Sequence, residues 1–342
     1  MDANQVRAAW ERAARRVAEP GAAPEGVLAP ESRDDVPTFM EAPVATCAED
    51  LEGAVAVVLG IPSEDGGSAR RPGGVAEGPA AIRRQSAACC LRRGRELATE
   101  AGRDLAIVDR LRVVDYGDVA VSADDVETTF TRAHDKLADI VAAGAVPIVF
   151  GGDHSTPVPV LQVLSGKLSG KLGIVAFDAR FDLSYAPTYG AGSQWARAFE
   201  LGVVEPANFV LAGIRDVRES LLDKCVADEL GLRYYSMTDV DELGIATVAQ
   251  EALESAGSGT EAVYVSVDVG VVDPGYGGQT CADDVGLSGP QLVRALRTLA
   301  TGRIAGFDIC CLAPRRDLQG QLARLAARTT VEIVAGLAAQ RP

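Results

Sequence analysis

Four residues of this sequence have the types and spacing to do chemistry together. His154 stands in Gly151-Gly152-Asp153-His154-Ser155, Asp178 and Asp182 lie four apart in Asp178-Ala179-Arg180-Phe181-Asp182, and Asp268 follows Ser266-Val267. One imidazole with three carboxylates is an oxygen-rich donor set that suits Mn²⁺, with Fe²⁺, Co²⁺, Ni²⁺ or Zn²⁺ also accommodated. A single divalent ion held there acidifies a water and polarises a substrate bond, which is the chemistry of hydrolysis at neutral pH. The structural alternative stays open on spacing alone, because aspartates just past strand ends also cap helices and tie turns.

The four residues need elements that bring them to one place. Each follows a short apolar run rich in β-branched residues: 146–150 before His154, 174–177 before Asp178, and 262–267 before Asp268. Such runs read as buried parallel strands that end at a sheet edge, where α/β proteins place their ligands. The full pattern predicts strands over 54–59, 111–114, 146–150, 174–178, 209–212, 232–235, 262–268 and 304–309. Helices are expected from 79 onward, over 123–143, from His154 to about 164, and over 193–202, 216–230, 245–256, 288–300 and 318–339. This βα alternation demands a mostly parallel sheet sandwiched between helices. No linker-like segment interrupts it after residue 50, so 51–342 reads as one domain. Residues 1–50 read as an extension, with helical composition over 5–18 and a Pro-, Ala-, Gly- and acid-rich, irregular stretch over 19–48.

Bulk properties narrow the field. The chain has 342 residues, 47% of them hydrophobic, and a net charge of −15. That charge disfavours nucleic acid and anionic membranes as partners and leaves a small-molecule substrate. No apolar run approaches the ~20 residues of a membrane span. The start lacks a secretory pattern, and seven cysteines without C-x-x-C pairing read as reduced thiols, so a cytoplasmic protein is expected. With only His134 and His154 present, a three-histidine zinc site is excluded, and His134 reads as a surface or packing residue inside its helix. The charged, glycine-rich loop 63–78 has the character of a segment that moves over a site, and its Arg70-Arg71 pair suits an anionic group.

The order Gly-Gly-Asp-His-Ser, Asp-Ala-x-Phe-Asp and Ser266-x-Asp268 with Asp273-Pro274 resembles the arginase/agmatinase (ureohydrolase) family. Gly60-Ile61-Pro62, Gly78-Pro79-Ala80-Ala81-Ile82-Arg83, Val114-Asp115-Tyr116-Gly117-Asp118 and Gly306-Phe307-Asp308 extend the match from about residue 54 onward. The resemblance implies a three-layer α/β/α sandwich assembled as trimers or hexamers. It also implies metal ligation by His154, Asp178, Asp182 and Asp268, with Asp182 orienting the water.

The departures are as informative. The family pattern has a second ion whose private ligands fall at Arg180 and Gly270 here. A guanidinium has no free lone pair and stays protonated, so it cannot ligate a cation. One ion is therefore expected, with Arg180 supplying fixed positive charge to catalysis or binding a substrate carboxylate. The family's His-Gly-Thr loop aligns with Ala191-Gly192-Ser193, and Cys311 stands where the guanidinium-gripping glutamate belongs. Ser193 and Cys311, with Arg180, become the expected substrate contacts. Three readings follow: a one-metal hydrolase of an amidino, ureido or amide C–N bond that is neither ordinary arginase nor agmatinase, a pseudoenzyme or assembly partner in which Arg180 replaces the metals, and a metal-free enzyme that reuses the crevice.

Overall fold

A computed structural model describes residues 36–64, 74–86, 97–98, 104–105, 111–122, 125–168, 170–184, 190–215, 221–280 and 285–340. The helix expected over 5–18 and the pair Arg70-Arg71 lie outside these residues. Eight strands form one sheet: β1 (Ala56–Ile61), β2 (Val113–Asp118), β3 (Val146–Gly151), β4 (Leu172–Phe177), β5 (Val204–Ile214), β6 (Arg233–Ser236), β7 (Ala262–Asp268) and β8 (Ile304–Cys310). Their order across the sheet is β2-β1-β3-β8-β7-β4-β5-β6, and every pairing is parallel.

The connections are helical, as parallel crossovers require. They are α1 (Gly78–Ser86), α2 (Val126–Ala142), α3 (Pro157–Lys167), α4 (Gln194–Glu200), α5 (Leu221–Glu229), α6 (Met237–Leu243), α7 (Ile245–Gly257), α8 (Gly289–Leu299) and α9 (Gln321–Ala339). Strand alternation divides the core in two. Val175, Phe177 and Val265 face a cluster with Ile82, Val248, Leu296 and Val334, while Ile174, Ala176 and Tyr264 face Leu137, Leu161 and Trp195 on the other side. The result is the expected α/β/α sandwich. No helix among the described residues is long and apolar enough to cross a membrane.

Some boundaries differ from expectation. The second strand runs through Asp118 rather than stopping at Val114, because Arg83 neutralises Asp115 and lets a charged residue remain inside the sheet. Helix α6 was not expected: Ser236 and Asp239 form a capping box that starts it directly after β6. The described part of the extension packs against the domain. Phe39 is fully buried with its ring 5.3 Å from that of Phe150, and Val44 bridges to Asp115 in parallel register.

Candidate metal centre

The four central strands β3, β8, β7 and β4 are neighbours, and their C-terminal ends deliver every residue of the cluster. The chain leaves β3 through Gly151-Gly152, and a Cβ at Gly152 would fall 1.9 Å from the Ser63 carbonyl oxygen. Only a residue without a side chain lets this exit pass the one from β1, and His154 is placed by that close passage. His154 Nδ1 lies 2.9 Å from Asp178 Oδ2, 3.3 Å from Asp182 Oδ2 and 3.7 Å from Asp268 Oδ2. The four residues expected from sequence to share one ion do converge.

Backbone amides orient the carboxylates. Asp178 Oδ1 accepts from the Arg180 amide at 3.0 Å, and Asp268 Oδ1 accepts from the Gly270 amide at 2.5 Å. Each aspartate therefore has one oxygen tied down, while Asp178 Oδ2 and Asp268 Oδ2 are buried without a well-aligned hydrogen bond and meet only the ion-pair contacts of His154 and Arg180. Buried carboxylates share too little positive charge there, and a cation fits such a set. Asp182 is held by Gln194 Nε2 at 2.7 Å and has a backbone φ of 49°, a left-handed conformation that a non-glycine residue adopts only under constraint.

The electrostatics agree with the geometry. Burial would depress the His154 imidazole, but its contacts with Asp178 and Asp182 and the charge of Asp268 hold it well above its usual value. Burial, followed by the charges of Asp182 and Asp268, pushes Asp178 up to about 7. For Asp182 burial is outweighed by His154 and by the Arg180 charge, and its carboxyl falls well below the usual range. Three acids around one imidazole carry more negative charge than the histidine can neutralise.

Arg180 stands at the side of this cluster. Its Nε lies 3.7 Å from Asp182 Oδ1 and one terminal nitrogen 3.9 Å from Asp268 Oδ2, ion-pair distances longer than hydrogen bonds. Gly270 carries no ligand side chain, and a Cβ there would sit 2.8 Å from Asp268 Oδ1. The donor set His154, Asp178, Asp182 and Asp268 fits an ion.

A cavity of about 80 Å³ opens beside the cluster, with Glu64, Asp153, Arg180, Thr280 and Cys311 in its wall. Cys311 is therefore where sequence placed it, at a φ of 66°, and its thiol is neutral: the Cys310 contact lowers its pKa, but burial and Asp268 push it up to about 12. Ser193 is placed differently. Its hydroxyl donates to the Gly190 carbonyl at 2.9 Å, and Ala191 and Gly192 take the places in the wall. Gln194 and Glu64 were not singled out in the sequence, and Ser266 and Asp308 stood there only as motif residues without a role; polar residues inside apolar runs, as at 266 and 308, were the one available signal.

The arginase family model matches residues 54–336. Guanidinopropionase of Pseudomonas aeruginosa is 32% identical over 311 residues, covering 89% of this chain and 92% of its own. The mitochondrial agmatinase of Gallus gallus is 30% identical over 301 residues, with coverage of 87% and 84%. The solved structure of proclavaminate amidino hydrolase from Streptomyces clavuligerus superposes with a TM-score of 0.77 at 28% identity, covering 90% of this chain and 98% of that one.

Proposed function

The chain belongs to the arginase family, and on that premise we propose that it is a one-metal hydrolase of a C–N bond in a small amidino, ureido or amide compound, distinct from ordinary arginase or agmatinase. Membership places it among hydrolases acting on carbon–nitrogen bonds other than peptide bonds. The observation that supports the one-metal reading is the convergence of Asp178 Oδ2, Asp182 Oδ2 and Asp268 Oδ2 within 3.7 Å of His154 Nδ1, with Arg180 beside them at ion-pair distance.

His154, Asp178, Asp182 and Asp268 would hold the ion, Mn²⁺ by the hardness of the set. When bound, the ion supplies an activated water and Lewis acidity. Asp182, fixed by Gln194, orients the attacking water. Arg180 presents a permanent cation to the negative charge that develops as the trigonal carbon becomes tetrahedral. That same charge also suits a substrate carboxylate, so a ureido, amide or guanidino acid fits better than agmatine, which has no carboxylate. Cys311 and Thr280 bound the pocket as neutral groups, and Glu64 and Asp153 offer acids to a cationic part of the substrate. The names of the relatives make a guanidino acid the first compound to try.

A pseudoenzyme is the second reading, and the ion pairs from Arg180 to Asp182 and Asp268 favour it. Elemental analysis of protein purified without chelator separates the two. About one ion per chain, absent from an Asp178→Ala/Asp268→Ala control, with urea or ammonia released from 3-guanidinopropionate or a ureido acid, is the expected result. Two ions per chain, or rapid turnover of arginine or agmatine, would remove the one-metal proposal. Protein that refuses Mn²⁺, Ni²⁺ and Zn²⁺ would make Arg180 the replacement cation. Light scattering on the same preparation tests the further proposal of a homo-oligomer, a trimer or hexamer.

A further inference from the structure

On the face of His154 turned away from the carboxylates runs a hydrogen-bond chain that the chemistry above leaves unused. His154 Nε2 lies 3.1 Å from Ser266 Oγ, and Ser266 Oγ donates to Asp308 Oδ1 at 3.1 Å. The Tyr264 hydroxyl donates to the other oxygen, Asp308 Oδ2. All four residues are at most 1% exposed, so bulk water supplies no alternative partners. Trp195, fully buried, packs edge-on against the imidazole at 5.5 Å with the rings perpendicular, which fixes the ring plane.

The chain has a direction. An ionised aspartate only accepts, and a serine hydroxyl carries a single proton. With that proton committed to Asp308 Oδ1, Ser266 can only accept from the ring nitrogen that faces it. The reverse polarity, Ser266 donating to Nε2, would strip Asp308 Oδ1 of its donor in a buried site and move the ring proton to Nδ1, into the cation's place. We propose that Asp308, acting through Ser266, is a positioning residue that keeps the proton on His154 Nε2 and reserves the Nδ1 lone pair for a cation among Asp178, Asp182 and Asp268. The inference rests on the reading of His154 as a metal ligand and assigns the groups that prepare it.

Nitrogen-15 NMR of the imidazoles tests this directly, because only His134 and His154 contribute signals. In wild-type protein, metal-free at neutral pH and loaded with diamagnetic Zn²⁺, His154 should show a slowly exchanging proton on Nε2. Asp308→Asn can donate to Ser266 and so reverse the chain, and Ser266→Ala breaks it. Each should weaken Mn²⁺ binding, measured by equilibrium dialysis, about 10–100-fold with the fold retained by circular dichroism. A bare Nε2 in the wild-type spectra overturns the proposal even if the variants fail to fold. So does an Mn²⁺ affinity unchanged in both variants. Wild-type protein that takes up no metal would count against the metal-centre reading, and the direction of the chain is then read from the neutral imidazole at high pH: a proton on Nε2 supports it and one on Nδ1 overturns it.

Discussion

Replacing Arg180 separates two things a partly buried cation can do. Arg180→Met keeps most of the stem volume and removes the charge. If the guanidinium stabilises charge on the reacting group, turnover should fall about 10²–10³-fold with metal content per chain unchanged. If it instead substitutes for the metal, the three acids around His154 lose their counter-charge. The variant should then unfold at lower denaturant, or take up an ion the wild type refuses. Metal content and a urea titration of one variant therefore decide between the readings. The ligands themselves were legible in sequence because each sits just past an apolar run. Gln194 was not, because a glutamine at the start of a helix looks the same whether it faces solvent or, as here, a buried carboxylate 12 residues away.

At the scale of elements, one buried ion pair ties α1 to the edge of the sheet. Arg83 Nε donates to Asp115 Oδ2 at 2.8 Å, a terminal nitrogen reaches Asp115 Oδ1 at 2.9 Å, and the other reaches Asp118 Oδ1 at 2.5 Å. The Phe39 amide completes Asp115 at 2.8 Å. Removing one member leaves an uncompensated charge in a site that is 1–4% exposed, so Arg83→Met should cost about 3–5 kcal/mol in urea unfolding. Arg83→Lys should recover only part, since an ammonium cannot reproduce the two-pronged contact. This pair also explains why β2 outran its expected end. The arginine lies 32 residues from its aspartate, and periodicity windows do not see partners at that distance.

For the molecule as a whole, the consequential finding is how residues 39–45 join the core. Phe39 and Met40 are 0% and 2% exposed, and the Phe39 ring meets Phe150 at an interplanar angle of 64°. Phe39→Ala opens a cavity beneath the site-bearing end of β3, and a loss of about 3–5 kcal/mol is expected. Chemical denaturation of this variant beside Val44→Ala, whose side chain is half exposed, measures it: equal stability would mean that the extension contributes nothing. Composition gave no warning, because Pro- and Gly-rich segments lack periodicity whether they pack or not.

The sequence by itself determined the parallel sheet, its helical layers and the convergence of His154, Asp178, Asp182 and Asp268, because buried strands must be apolar and polarity resumes where they end. The expectation of a single ion, drawn from the chemistry of arginine and glycine side chains, stays part of the proposal. Only the tertiary structure decided which carboxylate oxygens face His154 Nδ1, that Arg180 stands beside the cluster at 3.7 and 3.9 Å, that Ser193 turns back to Gly190, and that Asp308 lies behind His154. The Ser193 turn is local, whereas the others depend on the direction of a side chain relative to residues distant in sequence. Direction is set by packing across the sheet, where residues 154 and 266 meet although 112 positions separate them.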